Sequence, residues 1–179
     1  MTDEIWDLCD RDGRPTGEHH RRGTPLPPGL FHIVASVAAV SPDGRMLLTQ
    51  RAASKTHALD WEIPAGSALA GEASEEAAIR ELAEETGITV PTADLVLVGR
   101  FVEASALFDL YVVRVERDTI LDPDPSEVVD TAWSTLDELD AHVAGATIAA
   151  PWVPRLAELR TPLGRAVARI APPTVTMDG

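Results

Sequence analysis

The sequence predicts an α/β fold, a mixed β-sheet held between helices, preceded by an N-terminal β-hairpin extension. Three observations carry this. Apolar runs of strand length recur through most of the chain, one strongly helical segment interrupts them, and further helical segments close it. With 179 residues and 45% hydrophobic content, the chain has enough apolar side chain to bury one core of ordinary domain size.

Residues 4–10 read as a strand, Arg11-Asp12-Gly13-Arg14 as a turn, and a short returning segment completes the hairpin. The Pro- and Gly-rich stretch 23–29 is a loop. Residues 31–40 form a long apolar strand, Ser41-Pro42-Asp43-Gly44 a turn and 45–50 a second strand, together a hairpin. A loop through Lys55 and His57 leads to Trp61-Glu62-Ile63-Pro64-Ala65-Gly66. A helix then runs from 73 or 74 to 86, with Ser74 a good N-cap and Gly87 a good C′ residue. Residues 95–101, 107–117 and 128–133 are three more strands, and Ser134 or Thr135 caps a helix to about 143. Residues 151–168 are helical in two pieces, broken near Pro162. A single domain over 1–170 and a flexible tail over 171–179 are expected.

No apolar run is long enough to span a bilayer, and Met1-Thr2-Asp3-Glu4 lacks the basic-then-apolar layout of a signal peptide. One cysteine, Cys9, excludes an intrachain disulfide and fits a reducing cytoplasm. Between Leu8 and Asp10 it reads as a strand residue rather than a nucleophile. The net charge of −14 argues against nucleic acid polymers and leaves a small molecule as the expected partner, with a homodimer compatible. Lys55 is the only lysine; the other basic residues are arginines.

The chemistry sits in one pattern: Gly66, then Glu72, then Arg80-Glu81-Leu82-Ala83-Glu84-Glu85-Thr86-Gly87-Ile88. At about 100° per residue, Glu81, Glu84 and Glu85 share one side of the helix, and Ala78, Ile79, Leu82 and Thr86 the adjoining core side. Like charges one turn apart destabilise a helix by a few tenths of a kcal/mol per pair. A divalent cation relieves that repulsion, and hard oxygen ligands suit Mg²⁺ or Mn²⁺. A solvated acidic face would explain the glutamates alone, but not Gly66, Glu72, Arg80 and Gly87 in register with them.

This pattern resembles the Nudix box, the signature of enzymes that hydrolyse a nucleoside diphosphate linked to another group. The resemblance implies an α/β/α sandwich, Glu81 and Glu85 as metal ligands, and Glu84 as a third ligand or a base. It also implies a backbone ligand at Ala65 and an Arg80 that orients Glu72 and Glu81. Gly66 allows the tight loop that turns the Ala65 carbonyl inward. The front segment, Trp6 to Gly13 with Gly17 and Arg21-Arg22-Gly23, resembles Nudix proteins similar to isopentenyl diphosphate isomerase. So does the run Leu48-Thr49-Gln50-Arg51-Ala52-Ala53-Ser54-Lys55. It implies that Arg51 and Lys55 hold a diphosphate and that His32 matches a metal-site position. On its apolar strand, His32 otherwise reads as a core histidine.

The isomerase chemistry is not expected. Those enzymes use a cysteine soon after the position of Trp61 and then a metal-binding histidine, where this chain has Glu62-Ile63-Pro64-Ala65-Gly66-Ser67. The expected activity is therefore metal-dependent cleavage of a diphosphate linkage, the alternatives being a non-catalytic nucleotide sensor or the isomerase. Glu103 and Glu127 each stand either as functional carboxylates, a base or further metal ligand, or as solvated loop residues. His19 and His20 read as surface residues, and Trp61, Trp133 and Trp152 as core rather than a stacking platform. Removing Arg51 is expected to weaken substrate handling with little effect on stability.

Overall fold

The computed structural model describes residues 4–171. Strands β1 (Ile5–Cys9) and β2 (Pro15–Arg21) form a separate antiparallel hairpin. The main sheet contains β3 (His32–Val40), β4 (Met46–Arg51), β5 (Trp61–Glu62), β6 (Ala65–Ser67), β7 (Val96–Val102), β8 (Ala106–Arg114) and β9 (Val128–Ser134). Its order is β5-β4-β3-β8-β7, with β6 paired to β3 and β9 to β4. Because β3 and β8 run parallel while the other pairings are antiparallel, the sheet is mixed.

Helix α1 (Ser74–Thr86) covers one face, and α2 (Leu136–Ala144) and α3 (Trp152–Ile170) the other. Strand alternation makes both faces apolar. Along β3, Ala35, Val37 and Ala39 pack with Ala78 and Leu82 of α1, while Ala38 and Val40 pack with Trp152, Leu159 and Leu163 of α3.

The expected hairpin of 31–50 closes only at its turn, where Val40 pairs with Met46. Beyond it β3 and β4 part, because β6 takes the free edge of β3 (Ser36↔Ala65, Val34↔Ser67) while β9 and β5 pair with β4. Local turn signals predict that the chain reverses, but not which strand supplies the next ladder. The parting opens the cleft described below.

Two helix details also differ from expectation. Ala73, not Ser74, is the N-cap of α1, and its N–H donates to Glu76 at 2.9 Å. Ser74 is instead the first helical residue, with its hydroxyl donating to the buried Asp109 at 2.7 Å. Helix α3 runs unbroken through Pro162. An interior proline costs about 3 kcal/mol, but Leu156, Leu159, Leu163, Ala166 and Val167 bury one continuous stripe on both sides of it. Burying several such side chains, each contributing about 1.5–3 kcal/mol, outweighs the lost bond. Thr135 caps α2 through Glu138, which in turn accepts from the Thr135 N–H at 2.7 Å. Of the expected flexible tail, 172–179 lies outside the described residues.

Candidate functional site

Helix α1 presents its acidic residues at different depths. Glu85 is buried at 5% exposure, Glu81 is half-buried, and Glu84 is exposed. The helix ends at Gly87, whose φ of 78° favours glycine and whose Cβ position would lie 2.8 Å from the Asp122 nitrogen. Both constraints place the turn after Glu85 tightly against the rest of the chain.

Arg80 ties the helix to the loop before it. Its guanidinium grips Glu72 with two bonds (2.8 and 3.0 Å), reaches Glu81 at 2.7 Å and Glu84 at 3.3 Å, and donates to the Ser67 carbonyl at 3.0 Å. Glu72 also accepts the Leu69 N–H at 2.8 Å. Although burial opposes it, this bonding holds the Glu72 carboxyl below its usual range. Only a planar, multi-donor group makes these bonds together. Gly66 lies against Glu81, since a Cβ there would fall 1.9 Å from its Oε1. The glycine is thus required by close approach to the carboxylate.

Burial pushes the Glu85 carboxyl well above the usual range, and the nearby charges of Glu62 and Glu81 add to it, while the Thr49 hydroxyl, donating at 3.0 Å, opposes. Burial also raises Glu81, against the pull of Arg80 and with the charges of Glu84 and Glu127 adding. Glu62 is raised by burial and held back by Arg51, whose Nη1 lies 2.5 Å from it. Arg51 is further anchored by donating to the Thr56 carbonyl at 2.7 Å, and Lys55 forms an ion pair with Glu127.

Several of these groups line one cavity of about 430 Å³ between the parted strands. Glu81, Glu84 and Glu85 meet Ala65 and Gly66 on it, and Arg51, Lys55 and Glu127 face it from the β4–β9 side. Glu4 and Arg22 of the N-terminal hairpin and Val34 of β3 complete much of the wall. Glu103 is not brought into the cleft: it accepts a bond from the buried Arg155 at 2.6 Å and lines a different cavity with Phe101 and Pro151. A loop position after a strand carries no information on which end of another helix will face it.

The remaining candidates fall elsewhere. His32 is buried, stacked on Trp6 at 4.0 Å, and burial lowers its pKa to about 4. His19 pairs with Asp7 on the surface, and His20 meets Thr24. Trp152 is a core residue, edge-on to Phe108, while Trp61 and Trp133 are half-buried beside the two cores. Cys9 is buried in a strand, its thiol donating to the Phe31 carbonyl at 3.3 Å.

Sequence reasoning missed Thr49 and Glu62. Their signals were a polar residue in an apolar strand pattern (47, 49 and 51 share a face) and a carboxylate flanked by Trp61 and Ile63. Strand pairing brings them there, Thr49 lying opposite Glu62, and each then bonds a site residue directly, Thr49 to Glu85 and Glu62 to Arg51.

A family model described as the NUDIX domain matches residues 30–156. An uncharacterized Nudix hydrolase of Listeria monocytogenes is 33% identical over 146 residues, covering 77% of this chain and 83% of that protein. An isopentenyl-diphosphate Delta-isomerase of Nocardia farcinica is 36% identical over 171 residues, 86% of this chain and 92% of that enzyme. A crystal structure of a Deinococcus radiodurans protein superposes with a TM-score of 0.72 at 19% identity, covering 87% of this chain and 99% of the other. That last likeness speaks for the fold alone. With Gly66, Arg80, Glu81, Glu84 and Glu85 of the box on one cleft and the family model matched over most of this chain, the chain belongs to the Nudix hydrolase family.

Proposed function

We propose that the chain hydrolyses the diphosphate linkage of a nucleoside diphosphate-X or a related small molecule, with Mg²⁺ or Mn²⁺. The observation that carries this is the meeting of Glu81, Glu84 and Glu85 with Arg51 and Lys55 on one cavity. The donor set fits such an ion. Glu81 and Glu85 are carboxylates whose burial disfavours their charge, and a hard divalent cation restores it. Among the described residues no three acidic, His or Cys side chains form a ready-made cage. An ion here would keep waters and share substrate phosphate oxygens.

Glu81, Glu84, Glu85 and the Ala65 carbonyl would hold the ion, which when bound polarises phosphate oxygens and lowers the pKa of an attacking water. Arg80 sets the orientation of Glu81. Arg51, fixed by Glu62 and the Thr56 carbonyl, offers its remaining N–H groups to a phosphate. Lys55 exchanges Glu127 for a second phosphate oxygen. Glu84, the exposed member of the three glutamates, serves either as the third ligand or as the base that takes the water proton at Oε1, the oxygen not bonded to Arg80. The buried, lone cysteine supports work in a reducing cytoplasm.

Likeness to isomerases favours one second reading, protonation and deprotonation of an isoprenyl diphosphate. Against it, the residue after Trp61 is Glu62, already bound to Arg51, and the thiol of Cys9 is buried elsewhere. Phosphate release from a nucleotide panel, with and without Mg²⁺ or Mn²⁺ and alongside isopentenyl diphosphate, separates these readings. Metal-dependent hydrolysis of a nucleotide supports the proposal. Isomerisation without hydrolysis, or binding of a nucleotide without turnover, overturns it.

Arg51→Ala is expected to lower kcat/KM by about 1–3 kcal/mol, roughly 5- to 150-fold, as loss of a charge-assisted bond does. Stability is expected to fall too, against the reading from sequence, because Arg51 compensates the buried Glu62. Breaking such a pair costs about 3–5 kcal/mol. The double variant Arg51→Ala/Glu62→Gln should recover thermal stability while the kinetic loss remains. Recovery of both would show that Arg51 only supports Glu62.

A further inference from the structure

We propose that Arg22 forms a subsite for a second phosphate, so that the substrate carries a phosphate group in addition to its diphosphate linkage. This rests on the hydrolase reading above and names the substrate class.

Arg22 lies outside the box and before residue 30, where the match to the family model begins, yet it lines the same cavity as Glu81 and Arg51. Its position is held firmly. The Ala70 N–H donates to the Ile5 carbonyl and the Gly71 N–H to Asp7, both at 2.8 Å, so the hairpin is bonded to the loop that leads into α1. Paired bonds of 2.8 and 2.9 Å between Cys9 and Phe31, and the stacking of Trp6 on His32, fasten the hairpin to β3.

The cations around the box already have duties there. Arg80 orients Glu72 and Glu81, Arg51 is bound to Glu62, and Lys55 to Glu127. Arg51 and Lys55 enter from the β4 wall, whereas Arg22 enters from the hairpin wall beside β3. A ligand that engages both walls carries negative charge at two places.

The competing account is that Arg22 only closes the hairpin through Glu4, its backbone N–H bonding the Glu4 carbonyl at 3.0 Å and its Nη1 the carboxylate at 2.6 Å. The Arg22 side chain is 61% exposed, and exposed pairs of this kind contribute little to stability. Glu4 is therefore a weak competitor for a guanidinium that binds phosphate with two parallel bonds. The pair keeps Arg22 extended toward the cleft and is exchanged when phosphate arrives.

The test uses the full chain with Mg²⁺ and three matched pairs differing by one phosphate: ADP-ribose and its 2′-phosphate, NADH and NADPH, and dephospho-coenzyme A and coenzyme A. In at least one pair, wild type should prefer the phosphorylated member by about 10-fold in kcat/KM, mainly through KM. Arg22→Ala should bring that ratio near one, Arg22→Lys should keep part of it, and Glu4→Gln should raise it several-fold by removing the competitor. Absence of any preference in wild type, or a preference that Arg22→Ala leaves intact, overturns the subsite and leaves the hydrolase reading standing. No turnover of any member with Mg²⁺ or Mn²⁺ overturns both.

Discussion

Glu85→Gln is expected to reduce turnover of a diphosphate substrate by about 10²- to 10⁴-fold while making the metal-free protein more stable. The loss follows from removing charge where a cation must sit, a contribution comparable to other key electrostatic groups in enzymes. The gain follows from burial. Glu85 is nearly inaccessible, with Glu62 and Glu81 close enough to raise its pKa further. A carboxylate whose folded pKa is raised destabilises the folded state at pH values above that pKa. The penalty shrinks as pH falls through the folded pKa and is absent below the unfolded value of about 4.3. Glutamine keeps the shape and can still accept from Thr49. Metal-free Glu85→Gln protein should therefore melt at a higher temperature than wild type at pH 7, and the difference should close as pH is lowered toward 4. Excess Mg²⁺ should reverse the order, because only wild type gains from the bound ion. Paired melting curves with and without the ion, beside initial rates, read both effects. Near-normal turnover by the variant would sink the metal-site assignment, and a lower apo melting temperature would show that Glu85 is compensated by a partner other than a cation.

The second large effect belongs to Arg80→Lys, which keeps a positive charge and loses the fork. Wild-type Arg80 bonds Glu72 twice and also reaches Glu81, Glu84 and the Ser67 carbonyl. One ammonium cannot satisfy these acceptors at once. Glu81 then loses the partner that opposes its rise in pKa. Groups that orient a metal ligand typically change affinity by about 10- to 100-fold, and a similar fall in kcat is expected here. Titration with Mn²⁺ followed by its paramagnetic signal, alongside kinetics, checks this. If metal affinity holds while KM alone rises, Arg80 contacts substrate phosphate instead.

How much of this was legible in the sequence depends on distance along the chain. The box helix was readable because its requirements are local: glutamates three and four residues apart share a face, and Gly87 supplies the left-handed turn. The strands of the core were readable from apolar runs bounded by turns. Thr135 was one of two candidate caps, and the structure selects it through a hydroxyl reciprocally bonded to a glutamate three residues on.

Tertiary structure decided the rest. Pro162 predicted a break that burial of the α3 stripe overrode, and Ser74 gave up its cap to satisfy Asp109, 35 residues away. The parting of β3 and β4 arose because β6, β5 and β9 compete for their edges, and the cleft exists only through that parting. The parting set Arg51, Lys55 and Glu127 across from the box, hairpin docking added Arg22, strand pairing joined Thr49 and Glu62, and the packing of α3 gave Glu103 to Arg155. Spacing within one helix determines which side chains share a face, since backbone hydrogen bonds set that periodicity. Which distant carboxylate meets which guanidinium depends on strand register and on the burial of charge, neither of which any short stretch of residues contains.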